Sequence, residues 1–496
     1  MKIALPKPHT THPITNEEAS HRCQLALEQK DREDYKGAQK TMRYLWQGVG
    51  ERPTTEGLHP AVAAEVLLCV GILTSWIGSR NQIKEAQETA KNFITESITY
   101  FESIGDVIKI ATARTEIAYC YWRIGELNEA RTMLHEALKK LTLEGTARAR
   151  ALLKLTTVEW TAGRYYEALG ILDDNAALFQ RVRNHTVKGS YHTEYAIILR
   201  NLATAENRED YFHQAIKEYD AADHQFKLAR NPIFRASVKN NVGLLLYKLS
   251  RYKAAHRYLD EARRLSVELK DKARTAQFDE TRAQVFIAEG KYKEAEAVAF
   301  RAALALEKSG HQRLVACALT TQGIAVARLG RMERAQVIFQ KAIEFACQVE
   351  ALSAAGLAAL TMIEEIDQLP PEILGAAYQQ AREWLASTQS KDILRRLNDA
   401  GGKIFAGIQT SLSAEEAMSA LLAKPGKLED RMLEYENTLI RHALIQANGS
   451  VTHAASLLGT SYQGLAYIIE TRHKDLLKER RPVRRRRSPR KDLPDK

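Results

Sequence analysis

A six-residue phrase recurs along the middle of this chain and limits its fold more than any other feature. It reads GELNEA from Gly125, GRYYEA from Gly163, SRYKAA from Ser250, GKYKEA from Gly290 and GRMERA from Gly330, with a variant, DYFHQA, from Asp210. The closing alanines are Ala130, Ala168, Ala215, Ala255, Ala295 and Ala335, the last three intervals being 40 residues each. The first two intervals are 38 and 47 residues, and the longer one implies an insertion around Asn184 or Asn207. A near-constant period of this length marks stacked units, none of which buries its apolar face alone. Within each unit the glycine ends one helix in the left-handed conformation. An apolar residue (Tyr165, Tyr252, Tyr292) plugs the corner, and the alanine lets the next helix approach closely.

The flanking positions extend the pattern. In the clearest unit Gly243 faces Ala255, with Tyr247, Tyr252, Leu259 and Ala262 around them. Gly323, Gly330, Met332, Ala335, Phe339 and Ala342 repeat that arrangement, as do Ala118, Tyr121, Gly125, Leu127, Ala130, Leu134 and Ala137. This order of small residue, aromatic, turn glycine and spaced alanines resembles the tetratricopeptide repeat (TPR), with longer helices than the usual period of about 34 requires. The resemblance covers residues 107–348 well, as about six repeats, and residues 16–104 weakly, as degenerate hairpins. Residues 350–423 read as a further degenerate repeat, broken at Pro370-Pro371, with connecting helices; residues 1–15 read as a loose leader. The implied fold class is all-α, a solenoid of helical hairpins with a concave groove lined by first helices. That groove implies a protein or peptide partner, met by Tyr195, Asn201, Lys239, Asn240, Asn241 and Arg282, with Arg114 and Arg200 nearby. The Asn240-Asn241 pair suits an extended peptide backbone; a solvated surface is the alternative.

A second pattern begins after Lys424-Pro425-Gly426-Lys427, the clearest linker. Leu439, Ile440, Ala443, Leu444 and Ala447 recur at helical spacing, and Asn448-Gly449 stops that helix. Ser450 or Thr452 is placed to cap a short helix carrying Ala454, Ala455, Leu457 and Leu458. After Gly459, Ser461 caps a third helix with Leu465, Ile468 and Ile469 inward. The Asn-Gly turn, Ala-Ala pair, Leu-Leu-Gly and serine cap resemble the Fis-type helix-turn-helix found at the C-terminus of many bacterial transcription regulators. The resemblance spans residues 428–473 and implies a recognition helix from Tyr462 to Thr471 for the DNA major groove. It also implies a homodimer paired through residues 428–447. Expected DNA contacts are Thr452, His453, Ser461, Tyr462, Gln463, Tyr467, Arg472 and His473. Gln463 has the chemistry to read an adenine edge and the tyrosine hydroxyls to bond phosphates. The helix departs from the family in lacking arginine and lysine.

Charge supplies what that helix lacks. From Arg472 to Lys496 there are twelve Lys/Arg against four Asp/Glu, most of the chain's formal net charge of +11. Residues 474–496 therefore read as a disordered basic tail whose Lys474, Arg480, Arg481, Arg484, Arg485, Arg486 and Arg487 neutralise phosphates. A tail touching RNA or acidic proteins without sequence preference, on a non-catalytic repeat scaffold, is the alternative function.

Other classes find little support. The five cysteines are distant from one another in apolar helical surroundings, so buried free thiols are expected, without disulfides. Neither phosphate-binding loops nor nucleotide-fold glycines nor hydrolase or metalloprotease motifs occur, so no enzyme activity, cofactor or metal is expected. The longest apolar run, Ala61 to Ile77, is interrupted by Glu65, and no signal-peptide pattern opens the chain. These features point to a cytoplasmic bacterial protein, with no membrane partner.

Overall fold

The computed structural model describes residues 14–81, 83, 85–367, 369–386, 388, 391–411 and 428–479, and divides into two compact units, Met1–Ile404 and Phe405–Lys496. Among the described residues the secondary structure is helical and no strand occurs. In the first unit antiparallel helix pairs follow one another along the chain, the all-α TPR-like architecture.

Three successive pairs are built to one measure: Pro232–Lys248 with Tyr252–Glu268, Lys272–Ala288 with Tyr292–Lys308, and Gln312–Arg328 with Met332–Gln348, every helix having 17 residues. Each within-pair turn is closed by one left-handed residue, Ser250, Gly290 or Gly330, at φ 56°, 75° and 76°. The next amide reaches back five residues, from Arg251 to the Leu246 carbonyl at 2.8 Å and from Lys291 to that of Phe286 at 2.9 Å. Two orphan carbonyls of the helix end are thereby satisfied. Turns between pairs use the same geometry, with Gly310 at one and non-glycine residues at Arg230, Lys270 and Glu350. Asn231 and Asp271 then cap the following helix, their side chains accepting from the amides of Phe234 and Arg274. The long interval is explained by an added turn, Ala176–Arg181, which buries Leu178 and Phe179 just ahead of Asn184.

Small residues set the distance between helices. Ala255, Ala295 and Ala335 are fully buried, as are Ala262 and Ala342. A methyl placed on Gly243 would lie 2.8 Å from Leu259, and one on Gly323 would lie 2.7 Å from the Phe339 ring. Burying an aromatic or leucine side chain at such a crossing contributes roughly 1.5–3 kcal/mol. The apolar helix Pro60–Asn81 is long enough to cross a membrane, yet its apolar residues are packed on several sides against neighbouring helices. A helix hydrophobic all round is the form such burial takes. Cys23, Cys69 and Cys120 are buried as free thiols; Cys317 is exposed and Cys347 half-buried, correcting the expectation that all five lie inside.

Gly323→Ala should destabilise the first unit by about 1–3 kcal/mol, because the Phe339 ring is enclosed and cannot retreat. Gly375→Ala, with nothing within 4 Å of the added methyl, should be neutral or slightly stabilising. Urea denaturation followed by circular dichroism separates the two outcomes.

Candidate functional site

The predicted groove residues do not converge. Lys239 is held by Asp223 at 3.2 Å and Glu261 at 3.3 Å, and Arg282 by Asp260 at 2.8 Å. Arg114 is likewise shared between Glu102 and Glu136. The Tyr195 hydroxyl donates to Asp173 at 2.7 Å, and Asn201 accepts from Arg200 at 3.4 Å beside a separate cavity of about 1180 Å³. Asn240 is buried, its Oδ1 without a hydrogen-bond partner. Adjacent residues on a helix point about 100° apart, so when Asn241 faces the groove Asn240 must face the interior. The expected open asparagine pair is therefore reduced to Asn241.

What does converge was not evident in the sequence. A cavity of about 470 Å³ opens on the inner helices, lined by Trp76, Trp122 and Trp160 with Tyr119, Phe234 and Asn241. Three of the chain's five tryptophans meet there. Tyr119 and Trp122 stack at 5.1 Å, and the Arg123 guanidinium lies 4.8 Å from both ring centres. Trp122 and Trp160 are 38 residues apart, the same interval as Ala130 and Ala168, so they are equivalent positions of successive repeats. That coincidence was the available sequence signal.

Charges fill the polar side of this cavity. Lys154 pairs with Glu116 at 2.6 Å, Lys30 with Asp31 at 3.1 Å, and Arg150 also binds the Asp31 carboxylate. Burial pushes the Lys154 ammonium below its ordinary pKa; Glu116 opposes this, while Lys30 and Arg150 add to it. For Glu116 burial raises the carboxyl pKa, but Lys154, Lys30 and Arg150 outweigh it and the carboxyl is held low. Glu194 is the exception: burial pushes its carboxyl to about 7, against the hydrogen bonds from Trp160 and Thr157. The Trp160 indole donates to Glu194 at 2.6 Å.

One wall is contributed from far away in sequence. The turn after helix Asn16–Asp31 reaches three later repeats: Asp31 binds Arg150, the Asp31 carbonyl accepts from Asn231 at 3.1 Å, and Glu33 pairs with Arg274. Arg80 and Asp271, 3.7 Å apart, add a further long-range contact. The N-terminal hairpin thus closes one side of the concave face.

The second unit is a separate small core. Helix Leu428–Gln446, helix Val451–Leu457 and helix Tyr462–Thr471 bury Ile440, Leu444, Ala454, Ala455, Leu465 and Ile469 together. Asn448 and Gly449 form the left-handed turn, and the Gly449 amide donates to the Leu444 carbonyl at 2.8 Å. Ser450, not Thr452, caps the middle helix; Ser461 caps the last, accepting from Gly464 at 3.0 Å. Thr452, His453, Ser461, Tyr462, Gln463 and Tyr467 are exposed, Tyr467 at 65%. Gln463 and Tyr467, four residues apart, share one helical face.

Two expectations are corrected here. His473 is 3% exposed, its Nε2 at 2.8 Å from Glu436 and its Nδ1 at 3.2 Å from the Asn437 amide, so it braces the core and is shielded from DNA. The chain after it does not open directly into a tail: Lys474–Glu479 is a 3-10 helix with Leu476 buried. Arg441 holds this turn through Asp475, at 2.7 Å, and Glu479. Arg472 is exposed and pairs with Glu436 at 3.4 Å, and Lys474 is exposed. Arg480, Arg481, Arg484, Arg485, Arg486 and Arg487, like the linker at 424–427 and most of the leader, lie outside the described residues.

No family model matches the chain, and no curated protein matches it in sequence. Solved structures do resemble it. A signal-transduction ATPase with numerous domains from Pyrococcus horikoshii, carrying a tetratricopeptide repeat sensor, aligns at 14% identity and a TM-score of 0.50, over 74% of this chain and 54% of that one. This chain thus spans about half the length of that protein. A tetratricopeptide repeat protein from Parabacteroides merdae aligns at 17% identity and TM-score 0.38, over 58% of this chain and 98% of its own. A Rap protein complexed with competence and sporulation factor aligns at 14% identity and TM-score 0.41, over 68% and 98%. At 14% identity the likeness to the Pyrococcus horikoshii protein shows the fold alone, an all-α, TPR-like helical repeat.

Two measurements test the local chemistry. The native Glu194 carboxyl keeps its proton to about pH 7, whereas the unfolded one releases it near the ordinary value of 4.5. Between those values the native state binds the extra proton, so stability falls as pH rises through the window and levels above it. The loss is on the order of 2–3 kcal/mol. Glu194→Gln, which still accepts from Trp160, should flatten that decline in denaturation curves from pH 4.5 to 8. In the second unit His473→Ala removes both bonds of a buried group and should cost about 1–3 kcal/mol. Limited proteolysis should then cut within Leu428–Gln446 sooner than in the wild type, whereas exposed Lys474→Ala leaves the rate unchanged.

Proposed function

We propose that this chain is a cytoplasmic, non-catalytic bacterial transcription regulator. Its repeat unit binds a protein or peptide partner, and its terminal module, resembling a Fis-type helix-turn-helix, binds DNA. The observation that carries the reading is helix Tyr462–Thr471: Leu465 and Ile469 anchor it in the small core while Tyr462, Gln463 and Tyr467 stand exposed on it. Those groups suit major-groove edges and phosphates, and the arginine-rich sequence that follows supplies counterion release. The exposed Leu433, Leu439 and Ile445 on helix Leu428–Gln446 support pairing of two copies there, which suits a palindromic site. The repeat architecture supports a partner on the inner helices, whose occupancy alters DNA affinity.

The near-neutral character of the exposed helix face favours a second reading: a repeat scaffold whose arginines hold nucleic acid or acidic partners without sequence preference. Selection of bound duplexes from a random DNA pool by the full chain separates the two. An enriched motif is expected, with the Tyr462→Ala/Gln463→Ala/Tyr467→Ala variant losing roughly 1–3 kcal/mol per base contact removed. Binding that enriches no sequence and disappears with added salt would replace the regulator by the scaffold.

A further inference from the structure

The tryptophan-lined cavity has a charge balance that its own side chains leave incomplete. Four cations face it, Lys30, Arg123, Arg150 and Lys154, and the first, third and fourth of these share only two carboxylates, Asp31 and Glu116. Glu33 is engaged by Arg274, and Glu194, which accepts from the neutral Trp160 indole and is pushed up to about 7 by burial, supplies only part of a further negative charge near neutral pH. Among the described residues Arg123 has no carboxylate partner: its guanidinium bonds the Tyr119 hydroxyl and lies over the Tyr119 and Trp122 rings. Lys154 also lies over Tyr119, at 4.9 Å. Arg123 is exposed, but the half-buried Lys30, Arg150 and Lys154 outnumber Asp31 and Glu116 by one charge, and such an excess in a partly enclosed, aromatic site is costly unless a counter-charge joins it.

We propose that this cavity binds a small anionic molecule with a flat apolar body, of the aryl carboxylate class. The aromatic walls from Trp76, Trp122 and Trp160 take the ring, and Arg123 with the Lys30–Arg150–Lys154 cluster takes the anion. Its volume of about 470 Å³ is that of a small-molecule site. The Asp31–Glu33 turn, tied to Arg150, Asn231 and Arg274, forms one wall of the cavity. A small ligand would touch the N-terminal hairpin and the middle repeats at once, so its binding would tighten the contact between them. This site is additional to any peptide partner and does not rest on the DNA-binding reading.

Calorimetric titration of the full chain with 2-naphthoate and with its neutral analogue 2-naphthamide tests it. One saturable naphthoate site is expected, with the amide about tenfold weaker or worse. Arg123→Gln, which orphans no carboxylate, should weaken naphthoate about tenfold while leaving the amide unchanged. Trp122→Leu should weaken both probes, with circular dichroism and urea unfolding confirming an intact fold. Equal affinity for the two probes, no saturable naphthoate binding, or wild-type affinity in Arg123→Gln overturns the proposal. No DNA is present in the titration, so either reading can fail while the other stands.

Discussion

The close approach of paired helices, made possible by residues with little or no side chain, underlies the rest of the first unit. Gly243 against Leu259 and Gly323 against Phe339 leave no room for a methyl group. Ala255, Ala295 and Ala335 occupy the same place in each successive pair and are wholly buried. Once that spacing is set, the large side chains at neighbouring positions have one way to interdigitate, and each pair presents its first helix to the same side. The concave face is a consequence of this packing.

Curvature then brings together what the chain keeps apart. Asp31 and Arg150 are 119 residues apart, and Glu33 and Arg274 are 241 apart, yet each couple forms an ion pair. The charged groups around the cavity come from at least three different repeats, and their mutual placement sets the direction in which Lys154 and Glu116 shift. Lys154 is depressed by burial and by Lys30 and Arg150, while Glu116, which burial would raise, is held below its ordinary pKa by Lys154, Lys30 and Arg150. Glu194, with only neutral hydrogen-bond donors, follows burial instead and moves to about 7. The sign of each shift depends on which neighbours the fold supplies.

The second unit uses a different economy. Its core is small, so local devices carry much of its definition: a left-handed Asn448-Gly449 turn, two serine caps and the polar brace of Glu436, Asn437 and Arg441 on the His473–Glu479 segment. Leu476 completes the apolar contact on that side. The outcome is an exposed helix face of tyrosine, glutamine and hydroxyl groups set on a rigid support.

Much of the fold was legible in the sequence because its signals are local. A glycine before Tyr or Met and an alanine five residues later state the turn and the crossing within one window, and Ser461 followed by Leu465 and Ile469 does the same for the last helix. The turns at Arg230, Lys270 and Glu350 were hidden, since residues other than glycine seldom adopt the left-handed conformation and give no signal when they do. The groove residues were misjudged for a similar reason: whether Lys239 is free or bound by Asp223 and Glu261 depends on partners 16 and 22 residues away on other helices. His473 looked basic and available until helix Leu428–Gln446 placed Glu436 and Asn437 around it. The sequence by itself determined helix, turn and repeat, which are settled by contacts a few residues apart. Only the tertiary structure decided the tryptophan cavity, its surplus of cations and its closing wall, because those follow from the superhelical path of the whole array.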